Sequence, residues 1–177
     1  PILRGPGYIQ DMARRIRLRI IEMAHAAGPE RRTHPGPALS IADILAVLYF
    51  GVMRIDPKNP GWQDRDRLIL SKGHACPALY AALALRGFFP EEKLRTLRRI
   101  GSILQGHPDM NKTPGVDMTA GSLGHGLSAA IGIALAGKFI DNRAYDVHVI
   151  LGCGEIQEGI VWEGAMYAGV HQLDNII

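Results

Sequence analysis

The chain has 177 residues, 47% hydrophobic and 21% charged, which is one domain's worth of an ordinary globular protein. At this length about 70% of the unfolded surface is buried on folding. The two cysteines, Cys76 and Cys153, exclude a disulfide framework and fit a reducing, cytoplasmic setting. A net charge of +3 is too weak for a dedicated nucleic-acid binder, and no apolar run approaches the ~20 residues of a membrane span.

Residues 1–8 read as a Pro/Gly lead-in without a signal-peptide pattern, before a domain spanning 9–177. Ile9, Met12, Ile16, Ile20 and Met23 step by three or four, which predicts a helix over 9–27. Gly28-Pro29 stops it. Arg14, Arg15, Arg17 and Arg19 crowd this helix. They read first as a solvated face flanking a subunit contact, and second as a phosphate or nucleic-acid patch.

Residues 31–38 form a Pro/Gly loop, and Ser40 with Asp43 predicts a capping box before a helix over 41–49. Residues 67–71 read as a buried strand. Pro77 suits a first helical turn, so a helix is expected over 78–86, ended by Gly87. A basic helix over 90–100 follows, then a loop over 101–122 long enough to be functional.

Residues 123–140 are small and apolar, which predicts a closely packed central helix at a domain or dimer interface. Residues 146–151 are the clearest strand. A helix to about His171 and a strand from Asn175 complete the pattern. Alternating strands and helices give an α/β fold, a three-layer parallel sheet with helices on both faces and right-handed crossovers.

In such sheets ligands bind beyond the carboxyl ends of the strands. Lys72-Gly73-His74 follows the first strand and Gly152-Cys153-Gly154 the second. Glycines there let backbone N–H groups approach an anion. Four of the seven histidines, His34, His74, His107 and His125, lie in loops beside Gly or Pro. That suits a site handling protons and hydroxyls near neutral pH. No zinc spacing, nucleophile elbow or Walker loop occurs.

Five segments in order carry a specific resemblance: His34-Pro35-Gly36, residues 70–75 (Leu-Ser-Lys-Gly-His-Ala), Gly106-His107-Pro108, residues 121–128 (Gly-Ser-Leu-Gly-His-Gly-Leu-Ser) and residues 152–159 (Gly-Cys-Gly-Glu-Ile-Gln-Glu-Gly). Together they resemble the N-terminal, thiamine-diphosphate diphosphate-binding domain of transketolases. The match is strongest to the N-terminal subunit of two-gene enzymes.

The resemblance implies a cofactor site formed by His74, Gly121, Ser122, Leu123, Cys153, Gly154 and Glu155. It implies that His34, His74 and His107 line the sugar channel as catalytic groups. A magnesium or calcium ion would clamp the diphosphate at residue 153, with a second ligand further downstream. Glu158 falls at the dimer interface. The implied activity is two-carbon ketol transfer from a ketose to an aldose, here a sugar or sugar phosphate. A partner subunit would supply the pyrimidine-binding domain, without which the chain is inactive, and a homo-oligomer (a dimer or a heterotetramer) is expected.

Two departures bear on this. The family has an aspartate where this chain has Cys153. Hard cations want oxygen ligands, so Cys153 is a doubtful metal ligand. It reads first as a neutral filler and second as a redox or nucleophilic thiol. The alternative function is therefore an impaired scaffold or regulatory subunit that has lost the metal clamp. The domain also reads as incomplete at Ile177, with the chain expected to continue and a true end as the alternative.

Overall fold

The structure is a computed structural model, and it describes residues 5–177. Residues 1–4 of the expected lead-in lie outside the described residues. Helix α1 (Pro6–Ala27) begins within that lead-in, because proline is well placed in a first helical turn. Met12, Ile16, Ile20 and Met23 are buried along one stripe, and Ile9 packs at its edge. Gly28, at φ 71°, takes the chain out of the helix.

The capping box does not form. Ser40 Oγ donates to Pro37 O at 2.8 Å, while the Asp43 carboxylate pairs with Arg17 of α1. Instead the loop expected over 31–38 closes into α2 (Pro35–Leu39), and α3 (Ala42–Val47) follows. The basic helix over 90–100 is also absent. One 3₁₀ segment, Glu91–Thr96, gives way to extended Leu97 and left-handed Arg98 at φ 58°. Leu94 and Leu97, three residues apart, still reach the core.

Strands β1 (Arg67–Leu70) and β2 (Val147–Ile150) pair in parallel, Arg67 opposite Val147 and Leu70 opposite Ile150. The chain returns along the far edge of β2, where Val147 N donates to Asn175 O at 2.9 Å and Val149 N to Ile177 O at 2.8 Å. Parallel neighbours need long crossovers. Helices α4 (Cys76–Arg86) and α5 (His125–Leu135) lie between β1 and β2, and α6 (Gly159–Val170) follows β2.

Strand side chains alternate between two faces. Leu68, Leu70 and Ile150 enter the core shared with α1, α3 and α4. Ile69 and Val147 pack on Ala130 and Ala134 of α5. The outcome is the expected three-layer α/β architecture. Burying five such side chains favours folding by about 1.5–3 kcal/mol each. The helix expected over 123–140 is shorter at its start, since Gly124 sits at φ 83° and α5 begins only at His125.

The amino ends of the strands are tied by ion pairs. Asp66, buried, accepts from Arg54 N at 2.6 Å, Asp146 N at 3.1 Å and the Arg54 guanidinium at 2.7 Å. Asp117 accepts from Leu68 N at 2.8 Å and pairs with Arg65 at 2.6 Å. Arg67 lies 3.8 Å over the Tyr145 ring.

Candidate cofactor and substrate site

Three loops meet at the carboxyl ends of β1 and β2, and one carboxylate joins them. Glu155 is 2% exposed. Its Oε1 accepts from Ser71 Oγ at 2.5 Å and Gly124 N at 2.8 Å, and its Oε2 from Gly152 N at 2.8 Å. Those partners come from the loop after β1, the turn into α5 and the loop after β2. Glu155, read from sequence as a cofactor contact, spends both oxygens inside the protein and positions the loops.

Close packing enforces the same arrangement. A methyl group on Gly126 would come 2.5 Å from Ser71 Cβ, and one on Gly73 would come 2.9 Å from Ala120 O. Gly121, Ser122, Leu123 and Gly154 remain exposed around the cleft, and a methyl on Gly154 would touch nothing within 4 Å. Exposed glycine backbone beside open space is what an anion needs to approach N–H groups.

The catalytic histidines named from sequence converge. His34 stands at the start of α2 and its ring meets His74 edge-on at 5.4 Å. A methyl on Gly121 would lie 3.9 Å from the His107 ring. Burial lowers the pKa of His74, and the charges of His34, Lys72 and His107 add to this while Glu155 opposes it. Burial also lowers that of His107, with help from Arg98 and His34. Both imidazoles therefore stay neutral at neutral pH and can give or take a proton. The Nδ1 of His125 lies 3.3 Å from Leu123 O.

Sequence reasoning passed over two residues of this site. Lys72 is largely buried, and its Nζ donates to Ser40 Oγ at 3.2 Å and Pro37 O at 3.4 Å. Burial lowers its pKa, against the pull of Cys153 and Glu155 across the cleft. Tyr80 is the other. Its hydroxyl lies 3.0 Å from both Gln105 O and His107 O, holding the His107 loop from α4. The signal for Lys72 was its place in the loop after β1; nothing local marks Tyr80.

Residue 153 is the point of misfit. The Cys153 thiol is free and exposed. Neighbouring Glu155 is fully engaged, and among the described residues no three His, Cys, Asp or Glu side chains are grouped to hold a metal ion. A soft thiol does not suit a hard divalent cation. Glu158 is exposed beside the start of α6, with its Cβ 3.2 Å from a methyl placed on Gly124.

The fold and its loops together define an α/β domain with exposed glycine backbone and a group of histidines at the carboxyl ends of its strands. Residues 9–177 match the family model described as "Transketolase, thiamine diphosphate binding domain". The chain belongs to this family. A 6-deoxy-6-sulfo-D-fructose transketolase subunit of a Clostridium strain is 57% identical over 144 residues, covering 81% of this chain and 52% of that protein. One of the apulose-4-phosphate transketolase subunits of Phocaeicola vulgatus is 41% identical, covering 91% of this chain and 56% of that one. The Campylobacter jejuni transketolase structure superposes with a TM-score of 0.87 at 36% identity, over 97% of this chain and 28% of that chain. The chain thus spans about half the length of the two subunit relatives.

Proposed function

We propose that this chain is the diphosphate-binding half of a split transketolase, which transfers a two-carbon ketol unit from a ketose to an aldose. The observation that carries the reading is the convergence of His34, His74 and His107 on the glycine-lined cleft at the carboxyl ends of β1 and β2. The residues present fit a diphosphate: Lys72 and His74 supply cationic and hydrogen-bonding groups, and Gly121 and Gly154 supply backbone. When bound, thiamine diphosphate supplies the nucleophilic carbon and the electron sink. Leu123 would stand near its rings, and Ser122 and Gly154 would border its diphosphate. His34, His74 and His107 bind the sugar hydroxyls, and the lowered pKa values of His74 and His107 suit them to move protons at the sugar oxygens. The thiol at position 153 does not fit a magnesium or calcium clamp, so no step is assigned to a metal.

The two subunit relatives support a separate partner carrying the pyrimidine-binding domain, so the chain alone is inactive. The apolar outer face of α6 supports an oligomer, since Trp162, Met166 and Val170 stand exposed beside Glu158. A cytoplasmic setting fits the two free thiols. The test is to combine the chain with thiamine diphosphate and its partner subunit, then assay ketol transfer from a panel of ketoses. Transfer is expected; none from any donor would refute the reading.

Cys153 favours a second reading, an impaired scaffold or regulatory subunit. Calorimetry of thiamine diphosphate and magnesium binding to wild type and Cys153→Asp separates the two. Equally tight binding by wild type rules out the impaired subunit.

A further inference from the structure

Arg98 touches both the His34 and the His107 loops without belonging to either. One guanidinium nitrogen donates to Arg32 O, two residues before His34. The same guanidinium lies against Gly106, where a methyl group would meet Nη2 at 2.8 Å and Nε at 2.9 Å. Gly106 immediately precedes His107. Arg98 N also donates to Leu104 O at 2.9 Å, closing the turn that leads to Gly106.

The backbone marks the position as unusual. Arg98 has φ 58°, left-handed for a residue with a side chain. Such strain persists only where the surroundings hold it, and it concentrates at functional sites. The arginine fork explains what is held. The guanidinium is bracketed by a carbonyl on one side and a bare glycine on the other. Cys76 Sγ, donating to Gly106 O at 3.2 Å, and Tyr80 support the same loop from below.

We propose that Arg98 is a positioning residue that sets the spacing of His34 and His107, and with it the grip on the sugar hydroxyls. This rests on the transketolase reading for its substrate but not for its geometry. A small misplacement of a catalytic group can cost up to about 100-fold, so the expected effect is on sugar recognition.

The test uses two variants in the complete protein assembled with its partner subunit. Arg98→Gly suits the left-handed backbone and removes the fork; Arg98→Lys keeps a cation and removes the fork. For both, the KM for the ketose donor is expected to rise about 10-fold or more, with a smaller change in kcat. NMR titration of histidine-labelled protein supplies a readout independent of activity. His107 should titrate at higher pH in Arg98→Gly, since a neighbouring cation is gone, but not in Arg98→Lys. A folded Arg98→Gly with unchanged KM and unchanged His107 titration would overturn the proposal. If wild type shows no ketol transfer, the functional reading fails, and the NMR arm still decides whether Arg98 governs His107. Should Arg98→Gly fail to fold, an unchanged KM in Arg98→Lys is enough to overturn it.

Discussion

The two ends of the sheet treat charge in opposite ways. At the amino ends, Asp66 and Asp117 are each matched to an arginine and to backbone N–H groups. At the carboxyl ends, Lys72 donates to the neutral oxygens of Ser40 and Pro37, and the buried carboxylate nearby, Glu155, is engaged by Ser71, Gly124 and Gly152. Paired charges fix a shape. A cation held mainly on neutral oxygens keeps much of its charge free for an anion from outside. The same sheet thus carries a structural end and a receptive end.

The contrast can be broken from either side. The largest effect is expected at the structural end. Burial pushes the Asp66 carboxyl up, but the Arg54 guanidinium and the N–H groups of Arg54 and Asp146 outweigh it and hold the pKa below the usual value. Asp66→Ala strands these partners and should cost about 3 kcal/mol, near the lower bound for breaking a buried pair, read by urea denaturation. Because that pKa is depressed, its contribution is present above the unfolded value near 3.9 and is lost as pH falls through the folded one. A midpoint unchanged at neutral pH would show that the network is ornamental.

Glu155→Ala comes next. It frees two backbone N–H groups and a hydroxyl and should cost about 2 kcal/mol. It should also abolish thiamine diphosphate binding, because the three loops lose their common anchor. Retained binding in a destabilised protein would mean that glycine packing alone shapes the cleft. The smallest effect on folding is expected for Lys72→Met. Thermal stability should hold, because a partly desolvated cation is removed, while the Kd for thiamine diphosphate rises about tenfold, equivalent to about 1.4 kcal/mol. Unchanged affinity would place the receptive charge elsewhere.

The elements with strong periodicity were legible in the sequence. The α1 stripe, the two apolar strand runs and the Gly87 stop needed only local pattern. The five motif segments, with their histidines and glycines, fall in or beside the loops at the carboxyl ends of the strands. What stayed hidden depends on distant partners. The Ser40–Asp43 pattern failed because Arg17, far away in sequence, took the aspartate. The helix expected over 90–100 failed because a left-handed Arg98, held by Arg32 and Gly106, broke it. Short-range reading also cannot show that the Glu155 oxygens bond Ser71, Gly124 and Gly152.

The two thiols differ as sharply as the two ends of the sheet. Burial pushes the Cys76 thiol up to about 12, and it is engaged with the carbonyls of Gln105 and Gly106. Cys153 stands exposed in the loop after β2. The thiolate is the reactive form, so an alkylating fluorophore will label the folded chain at Cys153 alone. The protein therefore carries its own single-site reporter, and on the reading proposed above, slower labelling of that thiol in the presence of thiamine diphosphate is the expected sign of an occupied site, without any assay of turnover.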